Sequence, residues 1–112
     1  MSWPNDADGD VLRRLEADNF DFGKEFFVVF NLDFDNWPPP QEAVDLLKSR
    51  YANVQVIDPD EEDLEEGEFN GYIVFQINNR VNYEFVTKTQ TEATRLMHRF
   101  GGWCDSWGVM AK

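Results

Sequence analysis

The chain has 112 residues, 22 of them acidic and 10 basic, for a formal net charge of −12. Nucleic acids and anionic membranes attract clustered Lys and Arg, so direct binding to either is disfavoured, and a protein partner with a basic surface is favoured. Hydrophobic residues make up 42% of the chain and aromatic residues 15%, enough to build a core within one domain spanning residues 1–112.

The opening Met1-Ser2-Trp3-Pro4-Asn5-Asp6 has neither a basic region nor an apolar run, so no signal peptide is expected. No apolar stretch approaches the ~20 residues of a membrane span. The chain reads as soluble and cytoplasmic. Residues 5–18 follow as a helix. Val11, Leu12 and Leu15 share one face at spacings of three and four. Asp6, Asp8 and Asp10 bring negative charge to its positive N-terminal end. Gly23 marks the turn after Phe20-Asp21-Phe22.

Residues 25–34 carry the strongest strand pattern. Phe26, Val28, Phe30, Leu32 and Phe34 point one way, Phe27 and Val29 the other. A strand apolar on both faces belongs in the middle of a sheet. Trp37-Pro38-Pro39-Pro40 breaks it, and a second helix starts near Pro40 with Ala43, Val44, Leu47 and Tyr51 as its buried stripe. Asn53 is its expected stop, and residues 54–57 form a short second strand.

Residues 58–68 contain eight acids: Asp58, Asp60, Glu61, Glu62, Asp63, Glu65, Glu66 and Glu68. Like charges at this density resist compaction, which predicts a solvated connection. A solubilising loop is one role for it and partner contact the other. Asp60, Glu61, Glu62, Asp63, Glu65 and Glu66 are the candidate partner-binding residues. They lie outside every apolar stripe, so folding is expected not to depend on them. Should this segment fail as the binding element, the acids of the N-terminal helix come next. The field is one-sided: residues 1–68 carry a net −14 and residues 69–112 a net +2.

Alternation predicts a third strand over residues 69–81, with Phe69, Gly71, Ile73, Phe75 and Ile77 on one face. Asn82 is a good N-cap for a helix running to Phe100. The predicted stripe of that helix is Phe85, Thr89, Ala93, Leu96, Met97 and Phe100. A hairpin turning at Asn78-Asn79, with residues 80–87 as a strand, is the competing pattern, supported by Val86 and the threonines. Gly101-Gly102 closes the helix. Residues 103–110 form the last strand. Trp103 and Trp107, four apart, are expected on one face, with core packing as the default for each. Trp107 should be buried, and Gly108 should sit where a side chain would clash. The order helix, then strand–helix–strand–strand–helix–strand, describes an α+β ferredoxin-like sandwich: a four-stranded antiparallel sheet with an extra N-terminal helix.

No residue set for catalysis emerges, so the chain does not read as an enzyme. The run Asp6-Ala7-Asp8-Gly9-Asp10 fails as a calcium loop. Counting from Asp6, its sixth position is Val11 rather than Gly and its twelfth is Ala17 rather than Glu. His98, the lone histidine, has no second His or Cys pair to share a metal. Cys104 cannot form an internal disulfide and reads as a small buried residue. The carboxylates follow no acid–base pattern, and no cofactor or metal is expected.

Two segments carry a family resemblance. Asn5-Asp6-Ala7-Asp8-Gly9-Asp10-Val11-Leu12-Arg13-Arg14-Leu15, followed by Phe20-Asp21-Phe22, resembles the opening helix and turn of the bacterial regulators of ribonuclease E activity of the B type, the ribonuclease E inhibitor domain proteins. Phe100-Gly101-Gly102-Trp103-Cys104-Asp105-Ser106-Trp107-Gly108 is similar to that family's ending, a Tyr-Gly pair followed by Asp-Gly-Trp-Gly. Ser106 stands where the family usually has Gly, the triple proline is unusual, and no long acidic tail follows Met110-Ala111-Lys112. The resemblance implies a ferredoxin-like fold and a protein-binding role: direct contact with ribonuclease E, or a similar RNA-processing enzyme, that restrains RNA cleavage. The alternative from fold alone is a small-ligand-binding regulatory domain.

Overall fold

The computed structural model describes residues 3–110. Met1, Ser2, Ala111 and Lys112, which belong to the opening and closing segments read above, lie outside the described residues. The elements run α1 (Ala7–Ala17), β1 (Glu25–Phe34), α2 (Gln41–Arg50), β2 (Ala52–Ile57), α3 (Glu61–Glu65), β3 (Tyr72–Arg80), α4 (Tyr83–Met97) and β4 (Gly102–Val109), with a 3-10 turn at His98–Phe100 before β4. The sheet order is β2-β3-β1-β4 and every neighbouring pair is antiparallel. This is the expected ferredoxin-like α+β arrangement, with α1 as the added helix and α3 as an element the sequence pattern missed.

The central strand β1 has the expected bounds and the expected two faces. Val28, Phe30, Leu32 and Phe34 are buried under the helices, while Phe27 stays exposed on the opposite face. Asn82 caps α4 by accepting a hydrogen bond from the Phe85 amide at 2.7 Å. Val86, Thr89, Ala93 and Met97 then point inward at spacings of three and four. That periodicity overrides the β-propensity of the threonines and rules out the competing hairpin. Its stripe runs through Val86 rather than Phe85, which is half-buried and meets Phe30 edge-on at 5.9 Å. Gly101 ends the turn in the left-handed region at φ 74°.

The helix α2 follows Pro40 as expected and buries Ala43, Val44 and Leu47. Tyr51 stacks on Phe75 at 4.0 Å, and its hydroxyl donates to Glu92 on α4 at 2.9 Å. Arg50 reaches the same carboxylate at 3.1 Å. The Arg50 and Tyr51 hydrogen bonds hold the Glu92 carboxyl below its usual range, and burial pushes the Tyr51 hydroxyl up. The helix gives way at Tyr51 rather than Asn53. Asn53 lies inside β2 with φ 55°, where the β2–β3 register shifts between Ala52 and Gln55.

All three long helices lie on one side of the sheet. Leu12 of α1 is fully buried, and the Trp107 indole of β4 donates to Asp8 of α1 at 2.9 Å. The opposite face carries no helix among the described residues. It presents Phe27, Val29, Asn31 and Asp33 from β1, flanked by Gln76 and Val74 of β3 and by Gly108, Ser106 and Trp103 of β4.

Three expectations are corrected here. The third strand starts at Tyr72, and just before it the backbone at Gly71 passes so close to its neighbours that a Cβ would lie 2.0 Å from the Ile57 carbonyl oxygen and 2.8 Å from the Trp37 ring. Phe69 therefore falls outside the sheet and is exposed instead of joining the core face. Gly108 faces open space, with no atom within 4 Å of a Cβ built there. It pairs with Val29 on the uncovered face, where no layer among the described residues lies over it. Trp103 and Trp107 lie on opposite faces. The β1–β4 register places Asn31 beside Ser106 and then Leu32 beside Cys104, leaving Asp105 as the extra residue of a bulge. One extra residue reverses the alternation beyond it. Trp107, opposite Phe30, is buried at 8% exposure as expected. Trp103, opposite Asp33, turns to the uncovered face.

Candidate docking face

Residues 58–68 connect β2 to β3 at the edge of the sheet. The expected irregular connection contains α3, a single helical turn. Its start is fixed by a reciprocal cap: the Asp63 amide donates to the Asp60 carboxylate at 2.8 Å, and the Asp60 amide donates to the Asp63 carboxylate at 3.1 Å. Three backbone amides pointing at the N-terminal end favour negative charge there, which offsets part of the repulsion that argued for a plain loop. The spacing Asp60-x-x-Asp63 is the sequence signal that marks it. The same cap corrects the expectation that none of these acids serves the fold, since Asp60 and Asp63 do.

The other four candidates behave differently. Glu61, Glu62, Glu65 and Glu66 are exposed, and none has an ion pair or side-chain hydrogen bond among the described residues. Before them, Asp58 accepts the Trp37 indole N–H at 2.9 Å, and Trp37 meets Phe34 edge-on at 6.1 Å. Trp37 thus anchors the root of the acidic segment to the end of β1. On the far side, the Asn70 amide donates to the Phe34 carbonyl at 3.0 Å and ties the segment back to the same strand end.

Between these anchors lies a groove of about 580 Å³, lined by Asp33, Phe34, Gly67 to Tyr72 and Trp103. Phe69 is 66% exposed, Tyr72 41% and Trp103 38%. The Asp33 carboxyl is pushed above the usual carboxylate range by burial, and further by the charge and hydrogen bond of Asp105, the bulge residue. Among the described residues, no Lys or Arg lines the groove. Its four defining side chains, Asp33, Phe69, Tyr72 and Trp103, were not among the sequence candidates. Phe69 was assigned to the core by alternation, and Trp103 by a spacing that holds only without a bulge.

The acids of α1 have internal partners. Asp6 caps the helix by accepting the Gly9 amide at 2.7 Å and takes the Tyr83 hydroxyl of α4 at 2.6 Å. The Tyr83 hydroxyl, then the Gly9 amide, hold its carboxyl below the usual range. Asp8 accepts from Gln90 at 3.0 Å as well as from Trp107. Asp10 pairs with Arg13 on the same helix. Asp6 and Asp8 thus tie α1 to α4 and β4.

The remaining single-residue candidates sit apart from this face. His98 is exposed in the 3-10 turn. Cys104 is half-buried on the helix side of β4, and its thiol is pushed up to about 12 by burial, then by Asp105 and Asp8. It is protonated, hence a poor nucleophile, at neutral pH. Among the described residues, no group of three or more His, Cys, Asp or Glu is arranged to hold a metal ion, and no helix is long and apolar enough to cross a membrane.

No curated protein matches the chain. A family model described as regulator of ribonuclease activity B matches residues 5–109, nearly the whole length. The match spans both end segments, α1 with its capped start and β4 with its bulge, and everything between them. The chain belongs to the regulator of ribonuclease activity B family.

Proposed function

We propose that the chain is a cytoplasmic, non-catalytic regulator that restrains ribonuclease E, or a similar RNA-processing enzyme, by direct protein contact through its acidic segment. The observation that carries this reading is the set of unpartnered carboxylates on Glu61, Glu62, Glu65 and Glu66. Unpaired like charges on one turn repel each other and add nothing to the compact state. A basic surface brought against them removes that repulsion and speeds encounter. Enzymes that hold RNA display basic surfaces, so the attraction is of the right sign. Asp60 and Asp63 contribute charge to the same face while capping the turn. Family membership supplies ribonuclease as the regulated activity.

The test is a cleavage assay with purified ribonuclease E and a short fluorogenic RNA, together with direct titration of the two proteins at low salt. Added chain is expected to slow cleavage and to bind the enzyme in the absence of RNA. A chain that neither binds the enzyme nor slows cleavage at low salt would overturn the reading.

A further inference from the structure

We propose that the groove beside the acidic turn takes an arginine side chain from a basic segment of the partner protein, with the Phe69, Tyr72 and Trp103 rings against the guanidinium plane and Asp33 pairing with its charge. This deepens the reading above and rests on it for the identity of the partner.

Three observations carry the assignment. First, the rings are not core residues. The bulge at Asp105 turns Trp103 away from the helices, and Phe69 lies outside the sheet, three residues before β3 begins at Tyr72. Three large rings left partly exposed around one groove are costly to hydrate. Second, the chemistry is matched to one class of group. Aromatic faces attract cations, and a planar guanidinium stacks on a ring while its N–H fork meets a carboxylate. Asp33 and Glu68 line the groove with no cation beside them among the described residues. Third, the groove continues the acidic face. Gly67 and Glu68, which line it, directly follow α3 and its cap residue Glu66. A basic segment running along the carboxylates of α3 therefore arrives at the rings. An incoming cation would also offset the burial and the Asp105 charge, both of which disfavour the Asp33 carboxylate.

The shape argues for arginine over lysine. An ammonium is a compact, strongly hydrated point charge and gains less from flat ring faces. Dense carboxylates alone would treat the two cations alike, so the preference separates the groove from the acidic turn.

The experiment titrates the intact chain with two blocked peptides of equal charge, tetra-arginine and tetra-lysine, following backbone amide and tryptophan indole N–H resonances. Tetra-arginine is expected to shift the Trp103 indole and the amides around Asp33 and Tyr72 saturably, with affinity about fivefold or more above that of tetra-lysine. Trp103→Ala and Asp33→Asn, each checked for a native-like spectrum, should each remove that preference. Glu61→Gln with Glu62→Gln should weaken both peptides equally. Equal affinities for the two peptides, or a preference that survives both groove variants, would overturn the assignment. Acetyl-arginine amide is the third arm. If this single residue binds as tightly as tetra-arginine, the groove is a small-molecule site and protein docking there is overturned. The two readings fail separately. A chain that meets these expectations but does not bind ribonuclease E leaves the groove standing and removes the regulatory reading. A chain that restrains ribonuclease E equally well with Trp103→Ala and Asp33→Asn keeps the regulatory reading and removes the groove.

Discussion

Asp6, Asp8 and Asp10 open the first helix, and Glu61, Glu62, Glu65 and Glu66 crowd the short turn before β3. By composition the two regions are alike: acidic, near a helix start and rich in unbalanced charge. Their surroundings differ. The α1 carboxylates meet the Gly9 amide, the Tyr83 hydroxyl, Gln90, the Trp107 indole and Arg13. The four glutamates of the turn meet no donor among the described residues. The comparison teaches that charge density alone does not locate a binding face. A carboxylate already paired inside the fold has less to gain from a partner, and one without a donor gains most.

The largest expected effects lie where the α1 acids meet the fold. Trp107→Ala should destabilise the chain by about 3–5 kcal/mol, because it empties a buried site and removes the indole donor to Asp8. Trp103→Ala, on the uncovered face, should cost less than about 1 kcal/mol. Urea unfolding of the two variants checks the contrast directly, and equal losses would mean that the bulge does not separate the two rings.

Asp8→Ala comes next. It leaves the Trp107 indole and the Gln90 amide without their acceptor and should cost about 1.5–3 kcal/mol. Glu62→Ala should stay within about 0.5 kcal/mol, since no contact is lost. If the two substitutions proved equivalent in thermal unfolding, the distinction between structural and free carboxylates would fail.

A smaller effect of opposite sign is expected at Asp33. Burial and Asp105 raise its folded-state pKa, so the fold favours the protonated acid. The stabilisation tied to that proton is fully present below the unfolded pKa and is lost as pH rises through the raised folded value. At pH 7 the carboxylate is therefore a burden that Asp33→Asn relieves. The variant should melt slightly above wild type at pH 7, and the gap should close as pH falls through the raised pKa. A wild type more stable at pH 7 would show that the groove does not penalise the charge.

Much of the architecture was legible because each element had two agreeing signals. The bounds of β1 follow from an alternation that is apolar on both sides. The start of α4 follows from Asn82, and its course from Val86, Thr89, Ala93 and Met97 falling on one helical face. The short turn was obscured because repulsion among its acids masked a cap that is written in the sequence at Asp60 and Asp63. The groove was not legible. It depends on Asp105 slipping out of register with β1, and on Gly71 letting the chain pass close to Trp37. Both are pairings between segments far apart in the chain, and neither leaves a periodic trace. Gly108 fails for a different reason: alternation from the buried Trp107 puts it on the far face, and no periodic signal tells that this face is left uncovered.

The central claim is that the acidic turn, rather than the acidic start of α1, draws in the partner. Stopped-flow association with ribonuclease E tests it most directly. The variant carries Asp60→Asn, Glu61→Gln, Glu62→Gln, Asp63→Asn, Glu65→Gln and Glu66→Gln. Asparagine can still accept the capping amides, so its melting temperature should equal or exceed that of wild type. At low salt the variant should associate about tenfold or more slowly than wild type. The gap should shrink as salt shortens the Debye length from about 10 Å at 0.1 M towards about 3 Å at 1 M. An unchanged association rate with an unchanged salt dependence, in a variant that folds normally, would contradict the claim.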